Sequence, residues 1–226
     1  MSRVVAVVEG QTEQDFVRDV LSPWLGARGV FLTARLVGKP GYKGGVGEYP
    51  RARTDILVVR KSDPSVIVTT MFDFYGMPAS WPGRSQAGQA PHSHKAQLVE
   101  KSLRDDISQT MGDSFNTSRF IPYIQLHEFE ALLFSGPATV CKVLRAPEKV
   151  ERIQKVREAF VTPEEINDSP TTAPSKRLES LFADYRKRLH GLIAASRIGI
   201  QQMRKECPHF DAWVKTLEEL AMKDMP

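Results

Sequence analysis

Val4-Val5-Ala6-Val7-Val8-Glu9-Gly10-Gln11-Thr12-Glu13 joins an unbroken apolar run to a carboxylate, a glycine and the start of an amphipathic segment. A run with no polar alternation suits a strand buried on both faces, as in a parallel sheet covered by helices. Ligands of such sheets gather beyond the carboxyl ends of the strands, which is where Glu9 falls. Two further runs end in the same way. Residues 66–72 lead to Asp73, and residues 120–126 lead to His127, Glu128 and Glu130. Three strands that each finish in acid predict an α/β fold with an acidic site at one rim of a mainly parallel sheet.

Working outward from that rim, Thr12 is the expected N-cap of the first helix, with Glu13 and Asp15 in its first turn where the helix dipole favours negative charge. Phe16, Val17, Val20, Leu21 and Trp24 mark its apolar face, and Pro23 blurs its end. Residues 30–37 read as a second strand. The stretch from Gly38 to Glu48 is glycine-rich and carries Lys39 and Lys43, but no Gly-Lys-Ser/Thr opens a helix there, so it is no P-loop. It reads either as a surface loop or as a lid whose lysines meet phosphate near the rim. Residues 51–61 read as a short basic helix. Residues 74–91 are too rich in Pro and Gly for a regular element, which makes them an active-site loop or a disordered insertion. Helices are expected over 94–110, 128–134 and 147–160. Another is expected from a Ser175 cap through Leu178, Leu181, Phe182, Tyr185 and Leu189 to Gly191, and a last one carries Phe210, Trp213, Val214, Leu217 and Leu220 on one face. The expected organisation is an α/β core over 1–135 and a helical extension over 136–226 packed on it.

The chain of 226 residues is long enough to bury a core without staples. Cys141 and Cys207 form no spacing motif, and with no apolar stretch near the ~20 residues that span a bilayer, a cytoplasmic protein is expected. The net charge of +4 is unevenly placed: residues 175–205 hold eight Lys/Arg against two acids. Such a cluster is either a solvated helix face or an attractor of phosphate.

Glu9, Asp73, Glu128 and Glu130 fall together if their strands are neighbours. Hard oxygen donors of this kind hold Mg²⁺ or Mn²⁺, which recruit phosphate oxygens and activate water. Each has a plainer alternative: Glu9 as a helix cap, Asp73 as a turn residue, and one of Glu128 and Glu130 as a solvated acid. His92, His94, His127, Cys207 and His209 lack a structural-zinc spacing; His127 is kept as a site residue because it adjoins the acids. No Gly-x-Ser-x-Gly elbow supports Ser/His/Asp catalysis.

Five segments taken together carry a family resemblance: residues 8–13 (Val8 to Glu13), 72–78 (Phe72 to Pro78), 127–134 (His127 to Phe134), 166–168 with 173–178 (Ile166 to Asp168, Ala173 to Leu178), and 207–210 (Cys207 to Phe210). In consistent order through nearly the whole chain, they resemble the DUF4276 family. That family looks like a branch of the Toprim-like superfamily, shared by topoisomerases, primases and the overcoming-lysogenization-defect nucleases. The resemblance implies a Rossmann-like Toprim core, a divalent metal (Mg²⁺ or Mn²⁺), chemistry on DNA or RNA, and pairing with a nearby-encoded ATPase in phage defence. On that basis Glu9 matches the Toprim general acid or base, and Asp73 the first acid of its Asp-x-Asp metal motif. Tyr75 replaces the second acid, and a phenol is a poor magnesium ligand, so Glu128 or Glu130 is expected to supply the missing charge. Lys176 and Arg177 are then expected to face the scissile phosphate, with Asp168 as a further ligand or loop anchor. The expectation is therefore a metal-dependent nuclease. The alternatives are a non-catalytic subunit that binds nucleic acid or an ATPase, which Tyr75 favours, and a phosphotransferase that uses the Lys39–Gly47 loop.

Overall fold

A computed structural model describes residues 2–38, 47–167 and 171–223. Its centre is a parallel sheet in the order β2 (Val30–Leu36), β1 (Ser2–Val8), β3 (Ile67–Asp73), β4 (Phe120–Ile121), with β5 (Ile124–Gln125) also on β3. Strand β1 (Ser2–Val8) leads into α1 (Gln11–Phe16), a π-helical turn (Val17–Leu21) and α2 (Ser22–Gly26), and the chain returns as β2 (Val30–Leu36). Helix α3 (Tyr49–Ser62) crosses to β3 (Ile67–Asp73). Then come α4 (Arg84–Gln89), α5 (His92–Met111), β4 (Phe120–Ile121) and β5 (Ile124–Gln125). A 3₁₀ segment (Phe129–Ser135) opens the remainder: α6 (Pro137–Val143), α7 (Val150–Glu158), α8 (Pro174–Leu181), a second π-helical turn (Lys187–Gly191), α9 (Leu192–Glu206) and α10 (Pro208–Lys223).

Alternation along β1 explains the layers. Val4, Ala6 and Val8 enter one apolar cluster and Val7 the other, because successive side chains of a strand point to opposite faces. Strand β3 does the same, with Ile67 and Met71 on the first face and Val68 and Phe72 on the second. Helices α3 and α5 cover the second face through Ala52, Ile56 and Val59 and through Ala96, Val99, Leu103 and Ile107. The first face is covered by Phe16, Val17 and Leu21 together with apolar residues of α6 to α10, the predicted Phe210, Trp213, Val214, Leu217 and Leu220 among them. Residues from before and after position 135 therefore share one core.

Several local expectations are corrected. Thr12 is not the N-cap: α1 starts at Gln11, and Gly10 flanks it, with its carbonyl accepting from Gln14 N at 3.0 Å. Ser175 lies inside α8, which starts at Pro174. The expected third strand over 120–126 is two short pieces separated by Pro122 and Tyr123. Proline has no N–H for the ladder, and Thr70 of β3 repairs the break. Its hydroxyl donates to Tyr123 O at 2.8 Å and accepts from Tyr123 N at 2.9 Å. Part of the expected irregular stretch 74–91 is helical, as α4, and its Trp81 is buried, with Nε1 donating to Gly47 O at 2.9 Å. The helix expected up to Gly191 stops at Leu181, and Gly191 ends a π-helical turn that runs straight into α9. A Cβ on Gly191 would lie 3.1 Å from Tyr185 Oη and 3.6 Å from Phe129 Cε1, so the chain passes close to both rings there. Lys39, Lys43 and Asp168 lie outside the described residues.

Candidate active site

Parallel registration brings the predicted carboxylates together. Val8 is level with Met71, so Glu9 follows β1 where Asp73 ends β3, and Asp73 N donates to Glu9 Oε2 at 3.1 Å. Asp73 is in turn level with Gln125, two residues before His127. One turn into the following helical segment, Glu13 folds its carboxylate back over Gly10. A Cβ at Gly10 would lie 2.8 Å from Glu13 Oε2, so any larger residue there would displace this carboxylate. From the 3₁₀ segment Glu130 points into the same place, and Glu13, Asp73 and Glu130 are 3%, 6% and 0% exposed.

The centre of this ring is Lys187, a residue the sequence reading counted only among eight clustered cations. Its Nζ lies 3.0 Å from Glu130 Oε2, 3.9 Å from Glu13 Oε1 and 4.0 Å from Asp73 Oδ2, while its side chain remains 40% exposed. The neighbouring Arg188 fixes the π-helical turn on α1, donating to Asp15 Oδ2 at 2.6 Å and Gln11 Oε1 at 2.8 Å. Tyr185 donates to Glu130 Oε1 at 3.4 Å. The one sequence signal for Lys187 was the Arg186-Lys187-Arg188 triplet, and nothing in its spacing ties it to the rim.

Burial pushes the Asp73 carboxyl well above its ordinary range; Lys187 opposes this, while Glu9, Glu13 and Glu130 add to it. Glu130 is raised by burial, again against Lys187. Burial works against the Lys187 ammonium, but Asp73, Glu130 and Glu13 outweigh it and hold the lysine above its usual value. One cation thus answers for several carboxylates. Asp73 Oδ1 is buried without a hydrogen-bond partner, and Glu130 Oε2 is held by its ion pair to Lys187 without hydrogen-bond geometry.

The other predicted residues stand around this ring. Glu128 is turned away, its Oε2 accepting from Ser175 N at 2.9 Å at the start of α8. Lys176 is exposed and paired with Glu179 at 2.7 Å, and it feels Glu128 and Tyr75 electrostatically. Arg177 donates from Nε to Thr172 O at 2.6 Å and lies 5.3 Å from the Phe160 ring. Tyr75 N donates to His127 O at 3.0 Å. His127 has a left-handed backbone, φ 65°, uncommon for a residue with a side chain. Its Nδ1 faces Asn167 Nδ2 at 3.0 Å, and its buried Nε2 and Asn167 Oδ1 have no partner. Burial first, then His92, Lys95 and Arg84, push the imidazole down to about 3, so it is neutral at physiological pH.

The donor chemistry of the ring suits a hard cation: carboxylate oxygens, one of them buried and open. As the side chains are placed, however, no group of three or more His, Cys, Asp or Glu among the described residues could hold a metal ion, and the ammonium of Lys187 stands between the acids. Among the described residues, too, no helix is long and apolar enough to cross a membrane.

No functionally curated protein matches the chain. The C-terminal region of the OLD protein of Xanthomonas campestris pv. campestris is similar over 99% of this chain and 98% of its own, at 12% identity and a TM-score of 0.41. A family model described as a domain of unknown function, DUF4276, matches residues 8–218, and the chain belongs to that family.

Proposed function

We propose that this chain is a Toprim-like, metal-dependent phosphodiesterase acting on DNA or RNA, working in the cytoplasm and in phage defence with an ATPase partner. One observation carries the reading. Glu9, Glu13, Asp73 and Glu130 converge at the carboxyl rim of a parallel sheet around the partly exposed Lys187, with Asp73 Oδ1 buried and open. The residues that would hold Mg²⁺ or Mn²⁺ are Asp73 with Glu9 and with Glu13 or Glu130. Glu128, expected earlier as an alternative to Glu130, is engaged at α8. When bound, the ion would polarise a phosphate oxygen and lower the pKa of water.

The protein's own groups supply the rest. In hydrolysis a water oxygen bonds to phosphorus and gives up a proton, the bond to the departing sugar oxygen breaks, and that oxygen takes a proton. Glu9, half-buried and oriented by the Asp73 N–H, would accept the proton from the water and pass it to the departing oxygen. Lys187 offers its ammonium to the phosphate charge, the role expected earlier of Lys176 and Arg177. Lys176, exposed nearby, would guide the strand.

A non-catalytic, partner-binding role is favoured by two observations. Lys187 already compensates the acids from within the chain, and Tyr75 stands where the family pattern expects a second acid. Cleavage of supercoiled plasmid, single-stranded DNA and RNA with Mg²⁺ or Mn²⁺ separates the two. Cutting abolished by Glu9→Ala, Asp73→Ala and Lys187→Ala supports the enzyme. Absence of cutting, alone and with the ATPase, leaves the binding subunit.

A further inference from the structure

A second set of polar groups lies beside the acidic rim and takes no part in it. His127 is 5% exposed, yet its Nε2 has no hydrogen-bond partner, and the Nε of Arg84 is likewise buried and unpartnered. An unpaired buried donor is unfavourable unless something outside the chain completes it. With Asn167 Nδ2 donating to His127 Nδ1, the ring proton sits on Nε2, and the neutral imidazole presents a donor. Asn167 Oδ1, also unpartnered, is the counterpart of that arrangement.

Two cations stand on the segments packed around this donor. Lys95 follows His92 by one turn of α5, and Arg84 lies over Phe74, next to Tyr75, whose N–H donates to His127 O. The His92 ring lies 5.4 Å from that of His127. Arg84 is stacked 4.0 Å over the Phe74 ring instead of pairing with a carboxylate. Among the described residues, neither Arg84 nor Lys95 has an acidic partner, in contrast to Arg53 and Lys101, which pair with Asp106 and Asp105 on α5. Glu165 reaches His92 electrostatically, and Glu164 gives His92 only its backbone carbonyl, 2.7 Å from Nε2.

We propose that Arg84, Lys95 and the Nε2 edge of His127, buttressed by Asn167 and His92, form a phosphate-binding subsite distinct from the Lys187 ring. The guanidinium and ammonium supply charge, and the imidazole supplies an N–H donor that no group of the chain answers. His127 is three residues from Glu130, at most about 10 Å of backbone. The subsite's assignment to a nucleic-acid strand rests on the phosphodiesterase reading above; the phosphate site itself does not.

The test is equilibrium binding of a labelled single-stranded oligonucleotide, without divalent metal, over a series of salt concentrations. Wild type is compared with Lys95→Gln, with Arg84→Gln/Lys95→Gln, and with Arg152→Gln/Lys215→Gln, which removes the same charge from exposed positions elsewhere. Melting temperatures show that each variant is folded, and Lys95→Gln serves if Arg84→Gln is not. The expected result is weaker binding by the subsite variants, with the slope of log K against log salt shallower by about 0.7, and an unchanged slope for the distant pair. Equal losses in both pairs would mean diffuse attraction and would overturn the subsite. If wild type binds no oligonucleotide, calorimetry with inorganic phosphate and a nucleoside triphosphate decides. Binding lost in the subsite variants keeps the site, with a nucleotide as its ligand, and removes the nuclease reading. No binding of either overturns the proposal.

Discussion

Two places in this molecule bury glutamate, and they treat it in opposite ways. Beneath α10, Glu164 is 2% exposed and both its oxygens are used: Oε2 accepts from His209 N and Oε1 from Phe210 N, each at 2.9 Å. These are orphan donors at a helix N-terminus, where a carboxylate also meets the favourable end of the dipole. The same helix is held through His209 Nε2 to Glu100 Oε1 at 2.8 Å and through Trp213 Nε1 to Thr69 Oγ1 at 2.8 Å. At the sheet rim, Asp73 leaves one oxygen unpartnered, and several acids share one lysine. A network in which every atom is answered holds a fold together, whereas a buried carboxylate left open is tolerated where something else is to bind.

The largest stability effect should come from breaking the closed network. Glu164→Ala strands two helix N–H groups and should lower unfolding stability by about 2–4 kcal/mol, read as a urea midpoint shift. At the rim, Lys187→Met should cost less, about 1–3 kcal/mol near neutral pH, because the lysine is partly exposed. This loss should shrink as pH falls. Asp73 and Glu130 have raised folded-state pKa values, so the folded state binds more protons and gains stability as pH drops toward the ordinary carboxylate range. Melting temperatures of the variant at pH 5 and pH 8 check this. If added Mg²⁺ restores the variant more than it stabilises wild type, the carboxylates themselves attract the cation.

His209 sits half-buried between Glu100 and Glu164. Burial opposes its charge, but the hydrogen bond and charge of Glu100 and the charge of Glu164 outweigh it, holding His209 above its ordinary 6.5. Its contribution is fully present below pH 6.5 and is lost as pH rises through the raised value, so His209→Gln should flatten stability against pH above 6.5. The smallest effect is expected at Gly10. Gly10→Ala should displace the Glu13 carboxylate, change stability by about 1 kcal/mol or less, and lower cleavage about tenfold.

The two regions also differ in how far they could be read from the chain. The apolar runs into Glu9 and Asp73 announced a parallel sheet and its acidic rim, and the spacing of Phe210 to Leu220 announced the face of α10. Those signals are local, since each depends on the period of one element. Lys187 is not local. It reaches the rim because α8 stops at Leu181 and a π-helical turn re-aims the chain, with Arg188 latched to Asp15 and Gln11. Nothing in the triplet 186–188 separates it from the other basic residues. Glu128 and Glu130 looked equivalent in sequence, yet one reaches Ser175 N and the other Lys187, because Glu128 is extended just before the 3₁₀ segment and Glu130 lies inside it. Pro122 is a local sign of the break in the third strand, but the repair was not legible, because it comes from Thr70, more than fifty positions away.

The most direct measurement pairs one residue from each region. Asp73→Asn and Glu164→Gln each neutralise a buried carboxylate with almost no change of shape. For both, metal-dependent cleavage of single-stranded DNA and RNA and melting temperature are to be measured side by side with wild type. Asp73→Asn is predicted to lose cleavage by about 10²-fold or more while melting no lower than wild type. Glu164→Gln is predicted to melt lower and to keep the specific activity of its folded fraction. Wild-type cleavage by Asp73→Asn, or a lower melting point for it than for Glu164→Gln, would contradict the assignment of the open carboxylate to function.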